Sequence, residues 1–592
     1  MFKINLKLLQ GLVSVSKGET GADVFFANGQ VVNVYTGEIL EMNVATYKNR
    51  IAYVGPSDKM VAEETLVLDV EGAYLVPGFI DAHCHADIYS NPATFADWIL
   101  RTGTTTVLAD AQDLATSLGV AGFKQVIQGS LSYPVRMFFL VPVTTPLFPE
   151  IEGDEMYDTV ALSELLREEY VRGFGEVTPF PRLIRGDSTL LSRIAMARNL
   201  GKSVEGHTVG ASYDKLNSLV ASGLTSCHES ILPQDVLNRL RLGLYTMVRC
   251  GSIRCELQNL APILQDKRVT ESQRIILTPD GLFADDIMEK GYMDYVISEA
   301  IKFGVDSIHA IRMGTVNPAL YLGMDQDLGA IAPGRLADIL VVENLERSTP
   351  RMVMQDGRVV VNQGKPLIPP SPPPKVRDEG KPFLIKKAQP EMFLVIAPKD
   401  KGQAIPVISI ENKTVTRRRD MQLPIVNGFI QADPKMDILK VAVVSRNGKQ
   451  WNCGFVTGLG AGFDGFASSV GHEVHEILVI GGDDNAMMQA MERVLEIKGG
   501  VVLVKAGKVI HELRLPIGGI ISERPLDELA KELIAIKEVM VSFGSPLKDP
   551  LFTICFLTFS SMVDLRITVS GIYDVKKGEI IFDSKEPFSR KS

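Results

Sequence analysis

Cysteine is scarce in this chain: six in 592 residues, at positions 84, 227, 250, 255, 453 and 555. They are scattered and form no CxxC pair, which argues against a thiolate zinc site and a disulfide framework, so reduced thiols are expected. No run approaches the ~18 uninterrupted apolar residues of a membrane span. The first twenty residues, MFKINLKLLQGLVSVSKGET, lack the long apolar core and small-residue cleavage site of a secretory leader. Positive charge is not in excess either. The formal net charge of −9 argues against the basic surface that nucleic acid requires. A cytoplasmic protein with neither a membrane nor a nucleic-acid partner is expected. No internal repeats are visible.

The composition, 45% hydrophobic and 22% charged, is that of an ordinary globular protein. The length suits roughly three or four domains, or fewer if one is a large α/β barrel. Residues 23–70 alternate apolar runs with turn signals, and Asn28-Gly29 and Thr36-Gly37 sit where hairpins would turn. From residue 78 eight short strands alternate with helical stretches: FIDAHCH, TTTVLAD, MFFLVP, GFGEV, SVEGHT, TSCHES, LYTMVR and RIILTPDG. That alternation is the signature of a (β/α)8 barrel, with a doubly wound open sheet as the competitor. Residues 331–365 return to β patterning and can complete the N-terminal β unit. The proline-crowded 366–382 reads as a linker. The expected organisation is therefore 1–76 (β unit), 77–330 (barrel), 331–365 (return of the β unit), 366–382 (linker) and 383–592 (an α+β domain).

The chain has only eight histidines. Two of them sit in PGFIDAHCH, residues 77–85. Residues i and i+2 of a strand share a face, so His83 and His85 project together at the C-terminal end of the first barrel strand, where barrel active sites are built. Alone, this is a weak metal signal. The other strands strengthen it: strand four ends in Glu176, five in His207, six in His228 and eight in Asp280. Four imidazoles and two carboxylates exceed the needs of one four-coordinate ion. Two divalent ions bridged by Glu176 use them all, with Asp280 as ligand and general base. Spacing alone allows zinc.

The constellation resembles the amidohydrolase superfamily, which shares PGFID.H.H, a β-sandwich built from both flanks of the barrel, and a late G.IAPGRLADIL segment, here Gly329–Leu340. Within it the chain resembles the bacterial adenine deaminase family, which has a glutamate at the Glu176 position and an extra C-terminal domain. GLYTMVRCGS, MDYVISEAI, VNPALYLGM and SSVGHEVHEILVIGG carry the likeness, which runs from about residue 25 to about residue 580. The resemblance implies hydrolysis of adenine to hypoxanthine and ammonia, in purine salvage. A metal-bridging hydroxide would attack C6, Asp280 would move the proton, and His228 or a second carboxylate would assist. It also implies manganese or iron, a purine base as substrate and a homo-oligomer, dimer or larger. Zinc deaminases of the cytidine type need H-x-E with P-C-x-x-C, which this chain lacks.

The departures from the family pattern cluster in polar positions. HIESS becomes HADIYS (residues 85–90), with Asp87 in the glutamate slot, and DPHEIAN becomes DAQDLAT (110–116), with Asp113. REGS becomes Arg249-Cys250-Gly251-Ser252, and HDSHN becomes His472-Glu473-Val474-His475-Glu476. Asp87, Asp113, Arg249, His472 and His475 are therefore candidates for substrate contact. With Glu473 and Glu476, His472 and His475 could instead bind a further metal, but the favoured reading is a structural interface between the C-terminal domain and the barrel. Substitution of several polar groups in one pocket can redirect substrate choice, because a site built for one heterocycle leaves groups unpaired with another. Three readings stay open: an adenine deaminase, a binuclear amidohydrolase for another amino-heterocycle or cyclic amide, and a non-catalytic binding paralogue. Cys84 and Cys227 are read as packing residues, His309 as a helix or loop residue without chemistry and His511 as a surface or core polar residue, and GGDDNAMM lacks the Lys and Ser/Thr of a phosphate loop.

Overall fold

The computed structural model describes residues 2–153, 155–376, 380–398, 402–460 and 462–586. Its centre is an eight-stranded parallel sheet, with neighbours in strict chain order from Phe79–Cys84 to Ile275–Thr278. All eight anticipated strands are present. The sheet closes into a barrel where Cys84 bridges Asp280 in parallel and the His85 amide donates to the Asp280 carbonyl at 3.0 Å. An open doubly wound sheet, whose edges stay apart, is excluded.

Both flanks of the barrel feed one nine-stranded sheet. Ile339–Val342, which follows the barrel, lies antiparallel to Tyr74–Pro77, which precedes it. Thr36-Gly37 turns a hairpin as anticipated, with Gly37 at φ +80°. Asn28-Gly29 does not. It forms a bulge within the strand Val24–Asn33, where Asn28 takes φ +57° and the register shifts. A helix, Leu6–Ser16, precedes this sheet, capped by the Asn5 side chain and burying Leu8, Leu12 and Val15.

Residues 366–376 and 380–382 do not hang free. Ser371 donates twice to the Asp97 carboxylate at 2.7 Å, and the Lys381 amide donates to the Ser117 carbonyl at 2.9 Å. Residues 377–379 of the expected linker lie outside the described residues. The C-terminal part holds a second eight-stranded sheet, with Ile438–Val444 and Trp451–Thr457 at its centre, and a three-stranded sheet from Leu565 to Phe582. The methionine-rich helix Asp484–Glu496 buries Met487 and Met491 against the larger sheet. Among the described residues no helix is long and apolar enough to cross a membrane.

Candidate active site

The barrel strands are short, buried and rich in β-branched and aromatic residues, so each ends abruptly at the same rim. Asp280 follows the last strand in a left-handed conformation, φ +65°, which asparagine and aspartate tolerate better than most residues. The bend turns its carboxylate back into the barrel. There the side chains of His83, Glu176, His228 and Asp280 converge, all buried, and His207, His228 and Glu229 form an overlapping group. His83 Nε2 lies 3.2 Å from both Glu176 Oε1 and Asp280 Oδ1. His85 Nε2 lies 3.2 Å from Glu176 Oε1, and His207 Nδ1 lies 2.6 Å from Glu176 Oε2. Glu176 thus touches histidines through both oxygens.

Electrostatics follow from this crowding. Burial disfavours the charged forms of His83, His85, Glu176 and Asp280, but opposite charges outweigh it. His83 is held well above the usual imidazole range by Glu205, Asp280 and Glu176, and His85 by Asp280 and Glu176. Against the same burial, His228 and His207 hold Glu176 well below the usual carboxylate range, and Arg249 does so for Asp280. The cluster suits divalent cations. Its nitrogen and oxygen donors are a hard-to-borderline set, and Nε2 of His207 and of His228 are buried with no hydrogen-bond partner. A buried acceptor lone pair without a partner is costly, and a cation facing it removes that cost.

The substrate candidates divide. Arg249 and His472 line the cavity above the cluster, with Ile253, Arg254 and Phe556. Arg249 Nη1 lies 2.6 Å from Glu229 Oε1 and donates to Asp280 Oδ2 at 3.0 Å. The His472 ring stacks on Phe556 at 4.5 Å. Asp87, Asp113 and His475 stand outside the cavity lining. Asp87 accepts from the Leu114 amide at 2.9 Å, and Asp113 accepts from the Glu473 amide at 3.0 Å and pairs with His475 Nε2 at 2.9 Å. His475 and Asp113 thereby join the C-terminal domain to the barrel. The cavity measures about 20 Å³, room for about one water. Phe556, Phe559 and Met562 of the C-terminal part form the roof of this cavity. A larger groove of about 670 Å³ lies on the C-terminal domain beside His511, away from the cluster.

Family models match this architecture: the amidohydrolase family over residues 74–360 and the adenine deaminase C-terminal domain over 413–579. A protein named adenine deaminase from Moorella thermoacetica is 35% identical over 580 residues, covering 96% of this chain and 97% of its own. This chain belongs to the adenine deaminase family. Relatives of the same name from Kosmotoga olearia and Dehalococcoides mccartyi are each 33% identical, covering 95% and 97% of this chain and 97% and 99% of their own. Among solved structures, a beta-aspartyl dipeptidase from Fervidobacterium islandicum AW-1 is similar at 15% identity and a TM-score of 0.44, covering 59% of this chain and 99% of that one.

Several residues of the site carry no motif signal. Glu205 stands beneath the cluster, with Oε2 3.1 Å from His83 Nδ1 and Oε1 3.5 Å from His228 Nδ1. Its place two residues before His207 on one strand was the available clue. Glu229 directly follows His228 and is held at about 2, below its usual range, by Arg249 and then His207 against the cost of burial. The expectation of six reduced thiols is corrected: Cys250 and Cys255 form a disulfide, while Cys84, Cys227, Cys453 and Cys555 are buried and free. Sparse cysteine says nothing about two that a short loop brings together.

Proposed function

We propose that this protein hydrolyses adenine to hypoxanthine and ammonia. Two observations join to carry the reading: 35% identity to a relative bearing that name over nearly the whole chain, and contact of His83, His85, His207 and His228 with the buried Glu176 carboxylate beside Asp280. His83, His85, Glu176, His207, His228 and Asp280 are the residues that would hold divalent ions. When bound, such ions supply the Lewis acidity that makes water a nucleophile near neutral pH. The protein's own groups do the rest. Asp280, charged and oriented by Arg249, takes a proton from the water that adds to C6 and passes it toward the leaving amine. His228, 3.5 Å from Glu176, stands beside that path. The roof residues exclude bulk water, which strengthens each of these electrostatic contacts.

Manganese or iron in preference to zinc, a homo-oligomeric state, a cytoplasmic setting and a place in purine salvage are carried over from the family resemblance. We take residues 77–330 as the catalytic unit and the part beyond 383 as its roof. The second reading, another amino-heterocycle or a cyclic amide, rests on the altered motifs that carry Asp87 and Asp113, and it loses support because both side chains stand outside the cavity lining. A non-catalytic paralogue is disfavoured by the completeness of the donor set. Ammonia release from adenine, set beside a panel of amino-heterocycles and cyclic amides, decides: adenine should have the highest kcat/KM, and a higher value for another ring would select the second reading.

A further inference from the structure

The loop after the seventh barrel strand is built differently from its surroundings. Arg249 ends the strand, and Cys250 and Cys255 are joined by a disulfide and face each other as an isolated antiparallel bridge. The Gly251 amide donates to the Arg254 carbonyl at 2.8 Å, the Ser252 amide donates to the Gly281 carbonyl at 2.8 Å, and Lys413 of the C-terminal domain donates to the Ser252 carbonyl at 2.7 Å. The loop is thus fixed to itself, to the eighth strand's exit and to the roof. It carries Arg254 into the cavity wall.

Arg249 and Arg254 differ in what they have left to give. Arg249 is spent on Glu229, Asp280 and Glu256. Arg254 Nη1 is buried, 3.5 Å from Glu229 Oε2 and 3.9 Å from Glu256 Oε1, and makes no hydrogen bond among the described residues. A buried guanidinium donor without an acceptor, in a reactive cavity, is complementary to an acceptor that arrives with the ligand. Adenine offers such acceptors as ring nitrogens.

We propose that Arg254 is a specificity-determining residue that donates a charge-assisted hydrogen bond to a ring-nitrogen acceptor of the substrate, and that the Cys250–Cys255 disulfide is its positioning element. The inference rests on the reading of the site as an adenine-hydrolysing one. It places recognition on a donor facing an acceptor edge, whereas Asp87 and Asp113 already serve barrel and interface amides.

The test is a protein–ligand double-mutant cycle on the metal-replete full chain. Wild type and Arg254→Met are compared for kcat, KM and equilibrium binding of adenine and of 1-deaza-, 3-deaza- and 7-deazaadenine, each lacking one acceptor. In the wild type one analogue should bind about 10- to 100-fold more weakly than adenine, the range of one hydrogen bond to a charged group. In Arg254→Met that discrimination should vanish, with KM raised by a similar factor and kcat changed far less. Arg254→Lys, which keeps the charge and the fold, should recover part of the discrimination. Cys250→Ser/Cys255→Ser should raise KM in the same direction with kcat largely retained. If the wild type turns over adenine and Arg254→Met and Arg254→Lys both discriminate among the analogues as the wild type does, Arg254 is not the reader. If the wild type neither binds nor hydrolyses adenine, the substrate reading fails and this assignment falls with it.

Discussion

Replacing Glu205 with glutamine probes the support beneath the cluster rather than the cluster itself. Glu205 is fully buried and faces Nδ1 of two histidines, His83 at 3.1 Å and His228 at 3.5 Å. A carboxylate oxygen can only accept, so it favours a proton on the Nδ1 it faces, and with a cation bound each Nε2 would be left to ligate it. Glutamine keeps the shape but presents one carbonyl and one amide group. At least one histidine then meets a donor where it needs an acceptor. The loss is about one hydrogen bond to a charged group, roughly 1.5–3 kcal/mol, and supporting carboxylates of this kind set metal affinity by about 10- to 100-fold. Chelator-competition titration with manganese and with zinc should show affinity lowered by that factor in Glu205→Gln, with far-ultraviolet dichroism unchanged. Wild-type affinity for both ions in a folded Glu205→Gln protein would refute the assigned role of Glu205.

Three further outcomes follow from the same contacts. Glu152 is buried at the join of barrel and roof, accepts from the Phe148 amide, bonds Ser560, and is pushed up to about 7 chiefly by burial. Its folded pKa exceeds its unfolded one, so its stabilising contribution is full below about pH 4.5 and is lost as pH rises through about 7, up to about 3 kcal/mol. Urea midpoints from pH 5.5 to 8.5 should fall more steeply in wild type than in Glu152→Gln, and parallel slopes would contradict this. Arg446 is buried and donates to the carbonyls of His475, Lys381, Gly518 and Ser469. Arg446→Met should cost about 3–5 kcal/mol by taking the donor from these carbonyls, seen as a lower urea midpoint, and an unchanged midpoint would contradict it. Exhaustive chelation should abolish turnover and lower the melting temperature, because ions bound only by the folded cluster stabilise it; restored activity on adding manganese completes that test.

The barrel was legible because its strands are short apolar runs separated by helical stretches, and strands one, four, five, six and eight close on the donors themselves. Periodicity of two reported the shared face of His83 and His85. It reported Glu205 equally, but a glutamate inside a strand carries no motif and was passed over. The N-terminal helix was missed because Leu6, Leu8, Leu9, Leu12, Val13 and Val15 sit too close together to give a clean helical stripe, and only Leu8, Leu12 and Val15 are buried. The Asn28-Gly29 pair reads as a hairpin turn in isolation. What decides otherwise is the strand continuing past it to pair with Glu38–Tyr47 on both sides of the bulge. The roof was the least legible part. Phe556, Phe559 and Met562 come from about 280 residues beyond Asp280, and no local pattern links two such segments.

The central claim is a catalytic cluster bridged by Glu176 and acting on adenine. It is tested most directly by measuring metal content and adenine turnover together in wild type and Glu176→Ala, both loaded with manganese. Glu176 touches His207 at 2.6 Å, and His83 and His85 each at 3.2 Å, so its removal should lower the bound metal from two ions per chain and abolish ammonia release. Two ions and undiminished turnover in Glu176→Ala, or fewer than one ion per chain in a replete wild type, would contradict the account.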